Sequence, residues 1–372
     1  MDMRSKIISM AAVATTAAVL VSCNCGQKII VSNETELSRS GETIELELAA
    51  IEGVTAENAV VTDAAGNQIP SQIYTDAEGR TLLLFQADVN AGETVEYVVR
   101  QGARAEFQTR AYSRYVPERL DDYAWENDLV AGRIYGPALS SPRTFGCDIW
   151  LKCTDRLVID DWFKKMDYHH NYGEGMDCYK VASTLGGGAL APYSGESIII
   201  GDNYVTQQHI CDGPIRTEAV FTYEGIEVDG KTVSATRKIS LDAGSRFVKS
   251  VMTFNYEGEE GLPVVLGAVL HNVLGREDGA DYIAFTEKAS DSSDPDRDGN
   301  ISLGLVLGGE AAGTGTLDSH AVIYGTAQSG QAVTTWAGSG WSQGGVASQE
   351  AWAQEVKDFA YAQAHPLKVT LK

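Results

Sequence analysis

The residues best suited to chemistry lie in one glycine-interrupted stretch, residues 167–192, which reads DYHHNYGEGMDCYKVASTLGGGALAP. The chain has only six histidines, and two of them, His169 and His170, are adjacent in this stretch. Histidine is the usual side chain for proton transfer or metal binding near neutral pH. The glycines let the backbone turn tightly and approach a ligand closely. We therefore interpret the stretch as a candidate active-site loop. The alternative is a structural loop whose polar groups satisfy one another.

A second candidate region is the acidic and aromatic part of residues 102–127, which contains Asp122, Trp125, Glu126 and Asn127. An aromatic face can stack on a sugar ring while carboxylates accept hydrogen bonds from its hydroxyls, so this composition is typical of a ligand-facing edge. A solvated acidic loop before a strand is the alternative. The segment alone does not decide between the two.

Two segments contain residue types that could bind a metal ion. His169, His170, Glu174 and Asp177 carry the donors of a mixed nitrogen and oxygen site, but spacing across a glycine-rich loop does not show that they converge. The stretch 294–300 alternates aspartates as a calcium loop does, but its twelfth position is Leu305 rather than an acidic residue. We interpret it first as a solvated turn and second as a structural calcium site. A divalent ion, calcium or zinc, stays an alternative, and no metal ligand is assigned.

Two strand-borne residues are weaker candidates. His271 follows a predicted strand, where a core or edge histidine is the more usual interpretation. Arg237 would clamp a carboxylate if its strand face were concave, and a surface arginine is the alternative.

The first 22 residues read as a bacterial lipoprotein signal. Arg4 and Lys6 precede an apolar run, residues 7–21, which leads to Ser22 and Cys23. The run is shorter than the ~20 residues that cross a bilayer, so cleavage before Cys23 and lipidation of that cysteine are predicted. The expected mature protein has no transmembrane helix and is anchored by lipid to the outer membrane, on the periplasmic side or at the cell surface.

The net charge limits the kinds of partner that this protein is expected to bind. The net charge of −22 argues against nucleic acid or an anionic membrane surface as a partner, so the lipid is the only expected membrane contact.

Four cysteines follow the tether, Cys147, Cys153, Cys178 and Cys211. In an oxidising compartment they are either buried thiols or one or two disulfides, and the pairing is undetermined.

The apolar pattern predicts an all-β protein. After the signal (1–22) and a lipid-anchored tether (23–27), residues 28–105 carry short runs between Gly and Asn turns, typical of a small antiparallel β-sandwich. Residues 106–372 carry longer alternating runs, which indicate a large two-layer sheet structure. A hairpin turn is predicted at residues 242–244. One convincing helix is predicted late in the chain, beginning after Ser348.

Four segments resemble the Bacteroidota family known as domain of unknown function 4861 (DUF4861). They are residues 115–139, 146–152, 167–192 and the C-terminal PLKVTLK. The resemblance covers nearly the whole mature chain and implies action on carbohydrate in polysaccharide utilisation loci. The same or a neighbouring family is associated with an ulvan oligosaccharide dehydratase, which removes water from a terminal uronic acid. The strand pattern also resembles the galactose-mutarotase-like supersandwich, which implies that architecture for 106–372. A shared fold does not fix the reaction.

The resemblance implies β-elimination on uronic-acid-containing oligosaccharides, by a dehydratase or an exo-lyase. Such a reaction needs a cation at the carboxylate, a base for the neighbouring proton and an acid for the departing oxygen. The residues predicted to be catalytic are His169, His170, Tyr179, Lys180 and Arg133. The residues predicted to bind substrate are Asp122, Trp125, Glu126, Asn127, Tyr168, Glu174, Asp177 and His271. The alternatives are a non-catalytic glycan-binding lipoprotein and a mutarotase or glycoside hydrolase on the same fold.

Overall fold

The computed structural model describes residues 26–165, 167–289, 291–292 and 294–372. The predicted signal and Cys23 therefore lie outside the described residues. Within the described ranges, no helix has the length and apolar character needed to cross a membrane. Strands dominate this part of the chain, which confirms the predicted all-β class.

The strands and helices are numbered in chain order. The strands are β1 (Gln27–Ser32), β2 (Arg39–Glu47), β3 (Ala59–Thr62), β4 (Ser71–Thr75), β5 (Thr81–Val89), β6 (Thr94–Gln101), β7 (Ala111–Val116), β8 (Asp122–Asn127), β9 (Ala131–Ile134), β10 (Asp148–Lys152), β11 (Gly175–Asp177), β12 (Ala189–Ser194), β13 (Ser197–Ile198), β14 (Thr206–Cys211), β15 (Arg216–Val228), β16 (Lys231–Asp242), β17 (Phe247–Asn255), β18 (Leu262–Val269), β19 (Val273–Asp278), β20 (Tyr282–Lys288), β21 (Asn300–Leu307), β22 (Gly313–Leu317), β23 (His320–Ala327), β24 (Ala332–Trp341) and β25 (Lys368–Leu371). The helices are α1 (Ile159–Lys165), α2 (Pro295–Asp298) and α3 (Gln349–Ala364).

The N-terminal part is a small antiparallel sandwich, as predicted. One sheet has the order β25-β1-β6-β3 and the other β2-β5-β4. Fully buried side chains from both sheets, among them Ile29, Val61 and Phe85, form its core. The sequence placed all of 106–372 in the second domain, but β25 pairs with β1, with Ile29 opposite Leu371. The chain end therefore covers an edge strand whose backbone groups would otherwise be unpaired.

The larger part has two layers. An eight-stranded sheet, in the order β14-β15-β16-β17-β24-β21-β20-β19, faces two five-stranded sheets, β11-β10-β9-β8-β7 and β13-β12-β18-β23-β22. One large apolar core joins them. The alternation of β16 places Val233, Ala235 and Ile239 in this core, because successive strand residues point to opposite faces. This two-layer arrangement confirms the predicted supersandwich.

Two local predictions are confirmed. Strands β16 and β17 form an antiparallel hairpin around residues 242–244. Helix α3 begins after Ser348, whose hydroxyl accepts a hydrogen bond from the amide of Ala351. The buried face of α3 carries Trp352 and Val356, which pack on the outer face of the eight-stranded sheet against Phe247.

Candidate functional site

Arg133 on β9 is the centre of a buried charge cluster. Its Nη2 lies 2.8 Å from Asp148 and 3.0 Å from Asp177, and its Nη1 lies 3.4 Å from Asp122. The arginine is only 3% exposed. Nη1 also donates to the hydroxyl of Tyr168 at 3.1 Å. The prediction that Arg133 is catalytic is therefore wrong, because three protein carboxylates already surround its guanidinium and solvent is excluded.

Burial raises the pKa values of the aspartates in this cluster. Burial raises the pKa of Asp177 well above its usual range, and the charge of Asp148 adds to this effect while Arg133 opposes it. Burial likewise raises the pKa of Asp122 to about 6. Arg133 and the more distant Arg119, which lies 3.8 Å from Asp122, are too few cations for three buried anions. The cluster therefore holds protons that exposed aspartates would lose at the same pH. Asp122, Asp177 and Tyr168 are thus structural rather than substrate-binding groups.

The acidic and aromatic segment is interior as well. Trp125 is 3% exposed, so it offers no face to a sugar. Glu126 forms a buried ion pair with Lys152 at 2.9 Å and accepts hydrogen bonds from the amides of Val158 and Ile159 at the start of α1. The amide of Asn127 donates to carbonyls in the turn after β16. The segment predicted to bind sugar is therefore strand β8 itself, which is buried along its whole length and bonded to its neighbours in the protein.

Tyr179 is also excluded from proton transfer. Its ring is buried and its hydroxyl lies 3.2 Å from the carbonyls of both Gly186 and Val269. Burial raises the pKa of this phenol well above its usual range. The hydroxyl therefore links the loop to β18 and does not ionise.

The remaining candidate residues of the loop are at least partly exposed to solvent. The side chain of His169 is 62% exposed, and its Nδ1 lies 3.0 Å from the carbonyl oxygen of Asp177. His170 and Lys180 are exposed. Glu174 is half-buried and held by Arg156, whose Nε and Nη2 each donate to it at 2.8 Å. Of the loop candidates, His169, His170 and Lys180 are open to a ligand, whereas Glu174 has a protein partner.

Backbone geometry fixes this loop against β10. Gly175 has a φ of +131°, a region that L side chains rarely adopt. A Cβ at this position would collide with the carbonyl of Leu151. The glycine therefore lets β11 pair closely with β10, and the pairing of Leu151 with Met176 sets where the loop leaves the sheet.

His271 is the loop's most informative neighbour. Its Nδ1 lies 2.7 Å from Oε1 of Glu287, which is 1% exposed on the side chain, whereas the histidine side chain is 18% exposed. Burial disfavours the charged imidazole, but the hydrogen bond and charge of Glu287 outweigh it and raise the pKa of His271. The carbonyl of Lys180 and the charge of Asp291 act in the same direction. A buried carboxylate thus orients a partly exposed histidine, as in many proton-transfer sites.

The segment 177–180 connects the two histidine positions. Asp177 supplies the carbonyl next to His169, and the ring of Tyr179 lies edge-on to His271 with ring centroids 5.2 Å apart. The backbone carbonyl of Lys180 also acts on His271. His169 and His271 therefore both contact the short segment 177–180, His169 near its start and His271 near its end. We call His169, His170, Lys180, His271 and Glu287 the histidine surface.

Sequence reasoning missed Glu287 because its partner, His271, lies in the loop between β18 and β19. A signal was nevertheless present, since Ile283, Phe285 and Glu287 alternate on the core face of β20. A carboxylate on the core face of a strand needs a partner. Pairing of β19 with β20 brings Val273 opposite Glu287, and His271 lies two residues earlier in the chain.

The metal alternatives find little support in the geometry. Within the described ranges, no group of three or more His, Cys, Asp or Glu side chains is arranged so that it could hold a metal ion. In the acidic stretch 294–300, Asp298 bonds Arg297 and Ser292, and Asp296 pairs with Lys288 at 2.7 Å. Arg237, weighed as a carboxylate clamp or a surface residue, is neither: it lies in the core and donates to the carbonyl of Phe145 and to Sγ of Cys147.

The fold defines the class of protein, an all-β supersandwich with a smaller sandwich at its N-terminal side. More narrowly, the chain belongs to the family described as domain of unknown function (DUF4861), whose family model matches residues 31–369. "Uncharacterized protein P7" of Formosa agariphila is 29% identical over 371 residues, which cover 92% of this chain and 93% of that protein.

Two solved structures share the fold. A protein in the glycosyl hydrolase family 38 from Enterococcus faecalis has a TM-score of 0.55 at 9% identity, and the match covers 95% of this chain and 48% of that chain. An alpha-mannosidase from Enterococcus faecalis V583 has a TM-score of 0.55 at 8% identity, with 93% and 46% coverage. The chain thus spans about half the length of these solved proteins. At such identities the likeness shows the fold alone.

Proposed function

We propose that this protein is a carbohydrate-active enzyme that performs β-elimination on uronic-acid-containing oligosaccharides, as a dehydratase or an exo-lyase. The observation that carries the proposal is the His271–Glu287 pair, which holds an oriented, partly exposed imidazole beside the backbone carbonyl of Lys180. The solved proteins that share the fold are named as enzymes of glycoside chemistry, which supports a carbohydrate substrate.

Each chemical role has a candidate on the histidine surface. The ammonium of Lys180 pairs with the substrate carboxylate, so that the proton on the adjacent carbon becomes acidic. His169 or His170 removes that proton. The electron pair forms a carbon–carbon double bond as the bond to the β oxygen breaks, and the imidazolium of His271 protonates the departing oxygen. The raised pKa of His271 suits it to the acid role, because a larger fraction carries the proton near neutral pH.

The products distinguish the two forms of the reaction. If the departing oxygen is a free hydroxyl, water leaves and the enzyme is a dehydratase. If it is the glycosidic oxygen, the chain is shortened and the enzyme is a lyase. In both cases the double bond is conjugated with the carboxylate and absorbs in the ultraviolet.

The test follows ultraviolet absorbance during incubation with a mixture of uronate oligosaccharides, with mass spectrometry to separate loss of water from chain cleavage. We expect product from the unaltered protein and a loss of rate on the order of 10²-fold or more in His271→Ala. His169→Ala and His170→Ala identify the base. The matched control is His365→Ala, an exposed histidine after α3.

Lysine variants test the carboxylate contact. Lys180→Gln should raise KM for the uronate substrate, whereas Lys164→Gln, an exposed lysine on α1, should leave it unchanged. Binding without any product would indicate the non-catalytic glycan-binding protein instead. Product formed at unchanged rates by all three histidine variants at the histidine surface would overturn the site assignment.

The proposal includes a location in the cell, at the outer membrane. A lipid on Cys23 would hold the enzyme at the outer membrane, facing the periplasm or the cell surface, where oligosaccharides are available. Metabolic labelling with a fatty acid, with Cys23→Ser as the control, tests this assignment.

A further inference from the structure

A large cleft lies between the two sandwiches, away from the histidine surface. Its volume is about 630 Å³, within the range of small-molecule and oligosaccharide sites. One wall is β2 with the loop before it, the second is the β16–β17 turn, and the third is helix α3.

The walls are fixed relative to one another by contacts between the sandwiches. Arg216 on β15 pairs with Glu45 on β2 at 2.6 Å. The guanidinium of Arg39 on β2 donates to the carbonyl of His365, just beyond α3, at 2.9 Å. The cleft is therefore a preformed feature, and its opening does not require the sandwiches to separate.

Among the described residues that line this cleft, Lys249 is the cation without an ion-pair partner. Arg39, Arg216 and Arg246 pair with Glu42, Asp242 and Glu355, respectively. Lys249 is half-buried on β17 and lines the cleft. The carboxylates whose charges act on it, Glu45 and Asp242, both form ion pairs with Arg216. Burial is the main cause that lowers the pKa of Lys249. An ammonium that is withdrawn from water while its neighbouring anions are already paired favours an external anion.

An aromatic side chain lies in the same cleft. Trp336 on β24 is half-buried, and its ring stands edge-on to Phe359 of α3 at a centroid distance of 6.0 Å and an interplanar angle of 76°. Phe359 in turn stacks on Phe247 at 3.8 Å. Trp336 is thus held in place by packing, and hydroxyls of Ser240 and Ser245 also line the cleft.

We propose that this cleft is a second binding site for acidic oligosaccharides, in which Lys249 pairs with a uronate carboxylate and Trp336 packs against the sugar ring. The choice of a sugar rests on the proposed function, since a longer uronate chain offers the same charge and ring chemistry beyond the residue that reacts. The site holds the chain to the protein and performs no chemistry.

The test measures binding of a linear galacturonic acid tetrasaccharide by calorimetry on the full-length protein. Its methyl-esterified form has the same rings without the charges. We expect the acid to bind and the ester to bind more weakly. Lys249→Gln should weaken binding of the acid by about tenfold or more, the usual effect of one charge-assisted hydrogen bond. The matched control is Lys231→Gln, a lysine at the other end of β16 that pairs with Glu260, and it should bind as the unaltered protein does.

The same measurement in His271→Ala separates the two sites. Binding retained in His271→Ala and lost in Lys249→Gln supports the cleft, whether or not elimination activity is found. Binding of the acid that Lys249→Gln leaves unchanged, binding abolished by His271→Ala, or no binding of the tetrasaccharide at all would overturn the proposal. The absorbance assay on the unaltered protein reports the failure of the proposed function independently.

Discussion

His271 is bound twice by one carboxylate. Its Nδ1 lies 2.7 Å from Oε1 of Glu287, and its backbone amide donates to Oε2 of the same residue at 3.1 Å. Glu287 thus fixes both the ring and the backbone of the histidine. The raised pKa of His271 and the orientation of its ring have the same cause.

Replacing Glu287 should change the pH dependence of the reaction. Glu287→Gln removes the charge that outweighs burial, so the pKa of His271 should fall. A general acid must be protonated, and the alkaline limb of the pH–rate profile should therefore move to lower pH. Histidine NMR titration measures the pKa directly. The control is Glu310→Gln at an exposed position, and an identical profile in Glu287→Gln would exclude His271 as the acid.

Asp122 should make stability depend on pH. Its pKa of about 6 in the folded protein is raised mainly by burial, compared with about 3.9 in an unfolded chain. Its stabilising contribution is complete below the unfolded value and is lost as pH rises through the folded value. From about pH 4 to 7, the free energy of unfolding should fall by about 3 kcal/mol relative to Asp122→Asn. Urea unfolding at several pH values checks this. A difference between the two proteins that does not vary with pH would contradict it.

Arg133 should affect stability rather than substrate affinity. Arg133→Met leaves Asp122, Asp148 and Asp177 without their shared cation, so we expect a loss of about 3–5 kcal/mol in the free energy of unfolding. Arg143→Met is the matched control, because Arg143 is half-exposed and pairs with Asp202 at the surface; its effect should stay within about 0.5 kcal/mol. Near-normal stability with a raised KM in Arg133→Met would restore the prediction that Arg133 acts on the substrate.

The cysteines should differ sharply in reactivity. In the part of the chain that the structure describes, Cys147, Cys153, Cys178 and Cys211 are free thiols, which selects the thiol alternative over disulfides. Of these four, only Cys153 is exposed. A maleimide should label Cys153 in the native protein and the other three only after unfolding, as read by peptide mass spectrometry. A disulfide-linked peptide containing any of these four would contradict the structure.

The periodicity of the sequence predicted the fold more accurately than it predicted the residues of the site. The alternation in β16 and the Ser348 cap each depend on neighbours within a few residues, so the sequence contains the whole signal. His169, His170 and Lys180 were found because glycines and polar residues around them mark an open loop. The same reasoning misplaced Trp125 and Arg133, because composition indicates which residues are polar or aromatic but not which faces a second sheet covers.

The sequence by itself determined the all-β class, the late helix and the exposed histidine pair, since those follow from local spacing and backbone preference. Only the tertiary structure decided which charges meet. Four strands, β8 to β11, bring the carboxylates of Asp122, Asp148 and Asp177 to Arg133, and pairing between β19 and β20 brings His271 to Glu287. The cleft at Lys249 exists only because β2 and α3, which are more than 300 residues apart, are held across the same sheet. Burial and pairing across strands, which no local pattern specifies, therefore assigned each ionisable group its role.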